Sequence, residues 1–166
     1  MAFIPRKKVD ELDYKTAIIA NSQTLKVGDV FYFGESSNYA AAYPAANTTG
    51  IVAGVVVSIL AAPGVSKPLE VNSYAAASNN ETVAQVAVEY IPAYIPIEYL
   101  ADLSGVAGTT SNSDKPGYFN LSSTLSGTLD ETSWGAPTTQ KQFFSYGVTS
   151  FNTSQVVGKF ATTKVQ

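Results

Sequence analysis

The 166-residue sequence contains no cysteine and no histidine, and each absence removes a class of chemistry. Without cysteine the chain forms no disulfide and no thiolate metal site, so its redox compartment is not encoded. Without histidine it lacks the usual general base, the commonest metal ligand and the side chain that titrates near neutral pH. A Ser-His-Asp or Cys-His arrangement is therefore excluded. We expect a protein that is not an enzyme, with no catalytic residue, no cofactor and no bound metal.

Charged residues are also few, at 14% of the chain, with a formal net charge of −3 and Arg6 as the single arginine. Binding to nucleic-acid phosphates needs clustered Lys or Arg, so we expect no nucleic-acid partner. The best membrane candidate, residues 50–64, is shorter than the ~20 residues that a spanning helix needs, and Pro63 closes it. We therefore expect no membrane partner, and the N-terminal residues show no signal-peptide pattern.

Short apolar runs that are β-branched or aromatic dominate the remaining sequence, and turn-rich segments separate them. Examples are DVFYFG (29–34), GIVAGVVVSIL (50–60) and QFFSYGVTSF (142–151). The pattern predicts an all-β fold, a compact antiparallel β-barrel or sandwich with long polar loops. Residues 1–13 crowd their charges together and predict an extended N-terminal arm, which leaves residues 14–166 as a single β-barrel domain.

The segment VEYIPAYIPIEYLADLSG (88–105) contains Pro92 and Pro96, which are incompatible with a helix. Read with a period of two, its alternate residues form an apolar set that predicts a core face. That set is Ile91, Ala93, Ile95, Ile97 and Tyr99. The prolines share one parity and remove N–H donors from one edge, which predicts an edge strand with Tyr90 and Tyr94 facing outward. The preceding residues have the opposite phase, which predicts a β-bulge or a crossing between sheets.

Aromatic side chains supply most candidates for function, since the chain has 10 tyrosines, 8 phenylalanines and one tryptophan. Those in loops or on outward strand faces favour a protein interface, because they bury a large area at little rotamer cost. The N-terminal arm adds further candidates through its apolar and basic residues. The predicted interface residues are Phe3, Ile4, Pro5, Arg6, Lys7, Lys8, Tyr39, Tyr43, Tyr90, Tyr94 and Trp134.

The order of the strand-like motifs resembles that of a known family. VGDVFYFG and TGIVAGVVVSI come first, VAVEYIPAYIPIEYLADLSG follows, and KPGYFNLS and QFFSYGVTSFNTSQVVGKF close the chain. This order resembles the small β-barrel decoration, or cement, proteins that bind the outside of tailed-bacteriophage capsids. The likeness covers roughly residues 24–62 and 83–162.

The resemblance implies a virion structural protein, made in the host cytoplasm and not secreted, on the exterior of a phage head. There it would stabilise contacts between major capsid protein subunits, and self-association as a trimer is implied as well. One alternative is a head or tail fibre domain, or an adhesin-type module, that recognises a glycan or a host surface through loop aromatics. A glycoside hydrolase would instead use two carboxylates, such as Glu89 and Glu98.

Overall fold

Short strands account for most of the ordered backbone in this computed structural model. The structure describes residues 3–6, 14–33, 38–42, 52–61, 68–69, 71–105, 114–122, 127–135, 142–149 and 153–161. Every strand pair in these ranges is antiparallel, which confirms the predicted all-β antiparallel fold. The strands form three sheets, and within the same ranges none of them closes into a barrel. No helix in the described part of the chain has the length and apolar character to span a membrane.

In chain order, the strands are β1 (Phe3–Pro5), β2 (Lys15–Ile18), β3 (Thr24–Lys26), β4 (Val30–Phe33), β5 (Ala40–Ala42), β6 (Gly54–Leu60), β7 (Pro68–Leu69), β8 (Ser73–Ala75), β9 (Ala87–Pro92), β10 (Tyr99–Asp102), β11 (Gly117–Phe119), β12 (Phe143–Val148) and β13 (Gln155–Phe160). Among the described residues there are also two helical turns: a π-helical turn at Asn80–Ala84 and a 3-10 turn at Glu131–Ser133.

Contacts within the chain divide it into two compact units. The first unit comprises residues 1–8, 44–51 and 96–166, and the second comprises residues 9–43 and 52–95. The sequence predicts one domain over residues 14–166, whereas the sheets are distributed between these two units. The predicted boundary at residue 13 lies outside the described residues and stays a prediction.

The first unit is built on a five-stranded sheet with the order β1-β10-β13-β12-β11. One face of this sheet is fully buried, because residues of one parity on each strand point into an apolar core. The buried face consists of Phe3, Tyr99, Ala101, Gly117, Phe119, Phe143, Ser145, Val156, Gly158 and Phe160. Its central feature is a cluster of four aromatic rings, Phe3, Tyr99, Phe143 and Phe160, with centroids 5.2–6.3 Å apart.

The N-terminal residues correct one prediction. Residues 3–6 do not form an arm detached from the core, because β1 pairs with β10 in the register Phe3↔Ala101 and Ile4↔Leu100. Phe3 is only 2% exposed. The crowded charges after residue 5 predict an arm. Burial of the Phe3 ring nevertheless favours packing of this strand against the core.

The second unit contains a sheet with the order β2-β9-β6-β4-β5, to which β7 adds by pairing with β6, and a separate hairpin of β3 with β8. The two outer strands of the larger sheet meet at one point, where the Ala20 N–H donates to the Ala40 carbonyl at 2.8 Å. The sheet therefore curls around a core that it shares with the hairpin. That core contains Ala17, Ile19, Leu25, Phe31, Ala40, Val56, Ile59, Ala76, Val86, Val88 and Tyr90.

Strand β9 shows that the edge-strand prediction for residues 88–97 is wrong. Residues 87–90 pair with β2 on one side and β6 on the other, so β9 is an interior strand. The strand ends at Pro92, and a turn follows in which the Ile95 N–H donates to the Pro92 carbonyl at 3.1 Å. The parity argument required one strand to run through both prolines, and this turn separates them.

The predicted β-bulge does not lie in β9 itself, which pairs with β2 in a continuous register, but a bulge lies opposite it in β6. The β6–β9 register changes between Val56↔Tyr90 and Ser58↔Glu89, which leaves Val57 as an extra residue in β6. Such a β-bulge increases the local bend of a strand. Gly54 begins the same strand, and a Cβ at that position would collide with the Ile91 carbonyl and the Tyr90 ring. The close approach of β6 to β9 therefore depends on glycine.

Asn80 links the π-helical turn to the residue that follows β2 and to the residue that precedes β9. Its side chain is fully buried, and its Nδ2 donates to the carbonyls of Ile19 and Val86 at 2.7 and 3.0 Å. The Val86 N–H donates in turn to Asn80 Oδ1 at 3.1 Å. This side chain pairs with the Ile19 carbonyl and the Val86 N–H, and it gives the Val86 carbonyl a second donor beside the Ile19 N–H. Buried backbone groups left without partners would cost free energy. Asn80 also begins an Asn-x-Thr triplet, the acceptor sequence for N-glycosylation, but its side chain is buried away from solvent.

Replacing Phe3 with alanine tests whether the first strand belongs to the core. We expect Phe3→Ala to lower the free energy of unfolding by about 3–5 kcal/mol, because it removes one ring from a buried cluster. Ile4→Ala is the matched control, because the neighbouring Ile4 side chain is half-exposed. Its truncation should lower the free energy of unfolding by about 0.5 kcal/mol. Urea denaturation of both variants measures the difference, and equal midpoints would contradict the placement of Phe3.

Replacing Asn80 with alanine should cost about 3 kcal/mol of folding free energy, because buried backbone groups lose their partners. Asn79→Ala is the control, since Asn79 is exposed and its side chain makes no capping hydrogen bond. Thermal and urea unfolding followed by circular dichroism measure both variants. A loss as large in Asn79→Ala as in Asn80→Ala would argue against the role given to the Asn80 amide.

Candidate protein interface

The second face of the first unit's sheet is apolar as well, but it is only partly covered. Successive strands place Ile4 beside Leu100 and Leu100 beside Val157, while Lys159 lies beside Phe144 and Phe144 beside Tyr118. These side chains are half-buried or exposed, with Ile4 at 38% and Tyr146 at 42%. We call this surface the aromatic face. It comprises Ile4, Leu100, Tyr118, Phe144, Tyr146, Val157 and Lys159.

Three rings form one corner of the aromatic face. The Tyr118 and Phe144 rings are 4.9 Å apart across the β11–β12 pair, and the Phe144 and Tyr146 rings are 5.4 Å apart along β12. Separations in this range are favourable for aromatic pairs, which hold one another in defined orientations. The corner therefore presents a preformed apolar surface, and its side chains lose little conformational entropy when a partner covers them.

A β-bulge at Tyr146 shapes this corner. The β12–β13 register shifts between Ser145 and Gly147, and the Gly147 N–H donates to Ser145 Oγ at 2.9 Å. Gly147 has a φ of +124°, a backbone conformation that residues with a side chain rarely adopt. The sequence Ser-Tyr-Gly thus allows a bulge in which Ser145 points into the core and Tyr146 points out beside Phe144.

Three charged side chains on this side of the sheet have a partner among the described residues: Arg6, Glu98 and Asp102. The Arg6 guanidinium lies 3.6 Å from the Glu98 carboxylate, and both side chains are largely exposed, so their ion pair contributes little to stability. The Gln155 side-chain amide donates to the Asp102 carboxylate at 2.7 Å. Lys159 differs, since within the described residues no carboxylate lies at ion-pairing distance from its ammonium.

The predicted interface residues are distributed over both units. Ile4 and Arg6 lie on the aromatic side of the first unit's sheet, whereas Phe3 is buried on the opposite face and Pro5 is half-buried. Tyr39 is half-buried in the second unit. Lys7, Lys8 and Tyr43 lie outside the described residues. The structure thus places Ile4 and Arg6 on the same side of the first unit's sheet, and it places Tyr39 in the second unit.

Trp134 is engaged by its own unit. Its indole N–H donates to the Lys115 carbonyl at 3.0 Å, and its ring lies against Gly117, where a Cβ would collide with it. Gly117 is part of the buried face, so the ring covers that side of the sheet rather than the aromatic face. Because one ring surface is occupied by Gly117, Trp134 offers a smaller platform for a sugar than a free loop tryptophan would.

Tyr90 and Tyr94, which the sequence predicts to share an outward face, have different environments. Tyr90 packs in the second unit's core, with its ring 4.8 Å from that of Phe31 in an edge-to-face arrangement. Burial raises the pKa of the Tyr90 phenol above its usual range, and the nearby Tyr94 raises it further. Tyr94 lies in the turn after β9 and is 64% exposed. The outward placement is correct for Tyr94 and wrong for Tyr90.

The main components of the aromatic face were not among the predicted residues. The runs that the sequence identifies as strands contain all four of these residues: Tyr118, Phe144, Tyr146 and Lys159. The strand pattern alone does not assign the face of the sheet towards which each side chain points. A signal was available in QFFSYG, because adjacent Phe143 and Phe144 must point to opposite faces of a strand. One of the two phenylalanines was therefore bound to lie away from the core.

The carboxylates considered for glycoside hydrolysis each have a partner. Glu89 Oε2 accepts a hydrogen bond from Ser58 Oγ at 2.9 Å in the second unit. Glu98, in the first unit, carries the ion pair with Arg6. Among the described residues, no group of three or more acidic side chains is placed to hold a metal ion.

No protein-family model matches the chain, and no curated protein matches it either.

The raised pKa of Tyr90 predicts a pH dependence of stability. Since the folded-state pKa exceeds the ordinary value of 10.0, folding favours the neutral phenol. This contribution is fully present below about pH 10 and is lost as the pH rises through the folded-state pKa. In alkaline urea titrations, wild-type stability should fall more steeply with pH than that of Tyr90→Phe. Parallel curves for the two proteins would contradict the assignment.

Proposed function

We propose that this protein is a virion structural protein that decorates the exterior of a phage head and stabilises contacts between major capsid protein subunits. The aromatic face is the observation that carries the proposal. A sheet whose second face keeps apolar and aromatic side chains half-exposed is suited to bind a partner, because burying those side chains provides the free energy of association.

The composition of the face supports a protein partner in particular. Protein interfaces are enriched in tyrosine and phenylalanine at their centres and are bordered by polar and charged residues. Here Tyr118, Phe144 and Tyr146 supply the aromatic part, and the Arg6–Glu98 pair lies at the border. The order of strand motifs supports a capsid partner through its resemblance to decoration proteins. On a repeated lattice, many weak contacts act together.

The position of β1 alters how the N-terminal residues would contribute. Because Phe3 is part of the core, residues 3–6 do not reach away from the sheet to bind a neighbouring subunit. Ile4 and Arg6 instead extend the aromatic face at one edge. Under this proposal, deleting the N-terminal residues would weaken capsid binding through loss of folding as well as through loss of contacts, so point substitutions are the better test.

Binding to purified phage heads that lack the protein tests the proposal directly. Wild-type protein should bind them saturably, and Tyr146→Ser should weaken binding about tenfold, which corresponds to about 1.4 kcal/mol. Val83→Ser is the matched control, because Val83 is 71% exposed and lies in the second unit. Sedimentation of heads with labelled protein measures occupancy. No binding by the wild-type protein, or equal loss in both variants, would count against the proposal.

A glycan-binding module is the second candidate, favoured by the 64% exposure of the Tyr94 ring in a turn. Sugars stack on such exposed rings, as they would on the Tyr118–Phe144 corner. A glycan array with the isolated protein distinguishes the two functions. Saturable binding to a defined sugar that Tyr94→Ala abolishes, together with no affinity for heads, would replace the capsid proposal.

A further inference from the structure

Lys159 is the one residue of the aromatic face that carries a charge, and its surroundings are apolar. In the sheet it lies directly beside Phe144, which in turn contacts Tyr118 and Tyr146. The residue two positions earlier on the same strand is Val157, on the same side of the sheet. A partner that covers the aromatic corner would therefore also cover the Lys159 ammonium, or confine it at the border of the contact.

Two acids at the ends of the adjacent strand β10 contact other groups. Continuing the β10–β13 register, in which Tyr99 pairs with Gly158, places Glu98 opposite Lys159, but the Glu98 carboxylate lies 3.6 Å from Arg6. Asp102, two rows away, accepts the hydrogen bond from Gln155. The Lys159 ammonium thus lies next to an aromatic surface, with no carboxylate of the described residues at ion-pairing distance.

The edges of this sheet do not favour binding by strand addition. The Arg6 N–H donates to the Glu98 carbonyl, so the backbone N–H groups of even-numbered residues point towards β10. The backbone nitrogen atoms of Phe3 and Pro5 therefore face the outer edge of the sheet. Proline has no N–H to offer there. At the opposite edge, Tyr118 exchanges two backbone hydrogen bonds with Gly135, at 3.0 and 3.1 Å. Binding must therefore use the side chains of the face.

We propose that the aromatic face docks onto a protein surface that presents a carboxylate surrounded by apolar side chains, and that Lys159 is the residue that selects this partner. The inference rests on the proposed function, since it specifies what the capsid surface must offer. Covering an ammonium without a counter-charge is costly, whereas an opposing carboxylate compensates it and excludes surfaces that lack one. Charge complementarity therefore sets the specificity, and the aromatic corner supplies the buried area.

Carbodiimide cross-linking on purified heads tests the inference. This reagent joins an amine to a carboxylate only when the two are in contact, so the wild-type protein should form an amide through Lys159 Nζ with an acidic residue of a head protein. Lys159→Arg is the matched control: it keeps the charge and should bind within about threefold of wild type, but it should give no such cross-link. Mass spectrometry of the digested product identifies both joined residues.

Affinity measurements complete the test. Lys159→Gln should weaken binding to heads about tenfold or more, and Lys26→Gln, an exposed lysine in the second unit, should leave it unchanged. Unchanged affinity of Lys159→Gln, or a Lys159 cross-link to a second copy of this chain, would overturn the inference while leaving the proposed function standing. Failure of the wild-type protein to bind heads would instead reject the proposed function.

Discussion

The packing of Phe3, Tyr99, Phe143 and Phe160 into one aromatic cluster sets the register of the first unit's sheet, and the candidate interface depends on that register. Side chains alternate along a strand, so a shift of one residue would exchange the two faces. With Phe143 and Phe160 held inside, Phe144 and Lys159 must point outward. The core and the aromatic face are therefore two consequences of the same alternation, and a change that loosens the cluster would also disperse the interface.

The second unit is held by polar contacts at its chain reversal as well as by its apolar core. Asn80 provides the carbonyls of Ile19 and Val86 with donors, and a reciprocal pair of hydrogen bonds joins Asn21 and Glu81 at 2.9 Å each. Together they hold the π-helical turn against the residues that follow β2.

Several predictions failed where a local pattern was extended over too many residues. The shared parity of Pro92 and Pro96 would indicate an edge only if one strand contained both, and the turn at residues 93–95 separates them. The same pattern predicts that Tyr90 faces outward. The charges that follow residues 3–6 predict an arm, but strand pairing with β10 depends on residues almost a hundred positions away in the sequence. Propensity does not contain that information, because it describes neighbours in sequence only.

The sequence alone determined the all-β class, since β-branched and aromatic runs between turn segments have no other economical arrangement. It also excluded histidine and cysteine chemistry, and it required that adjacent aromatics such as Phe143 and Phe144 face opposite ways. Only the tertiary structure decided which of the two is buried, which strands are neighbours, and that Lys159 lies beside rings while Glu98 is held by Arg6. Alternation is a local property of the backbone, whereas the choice of buried face and of charge partners depends on contacts between distant segments.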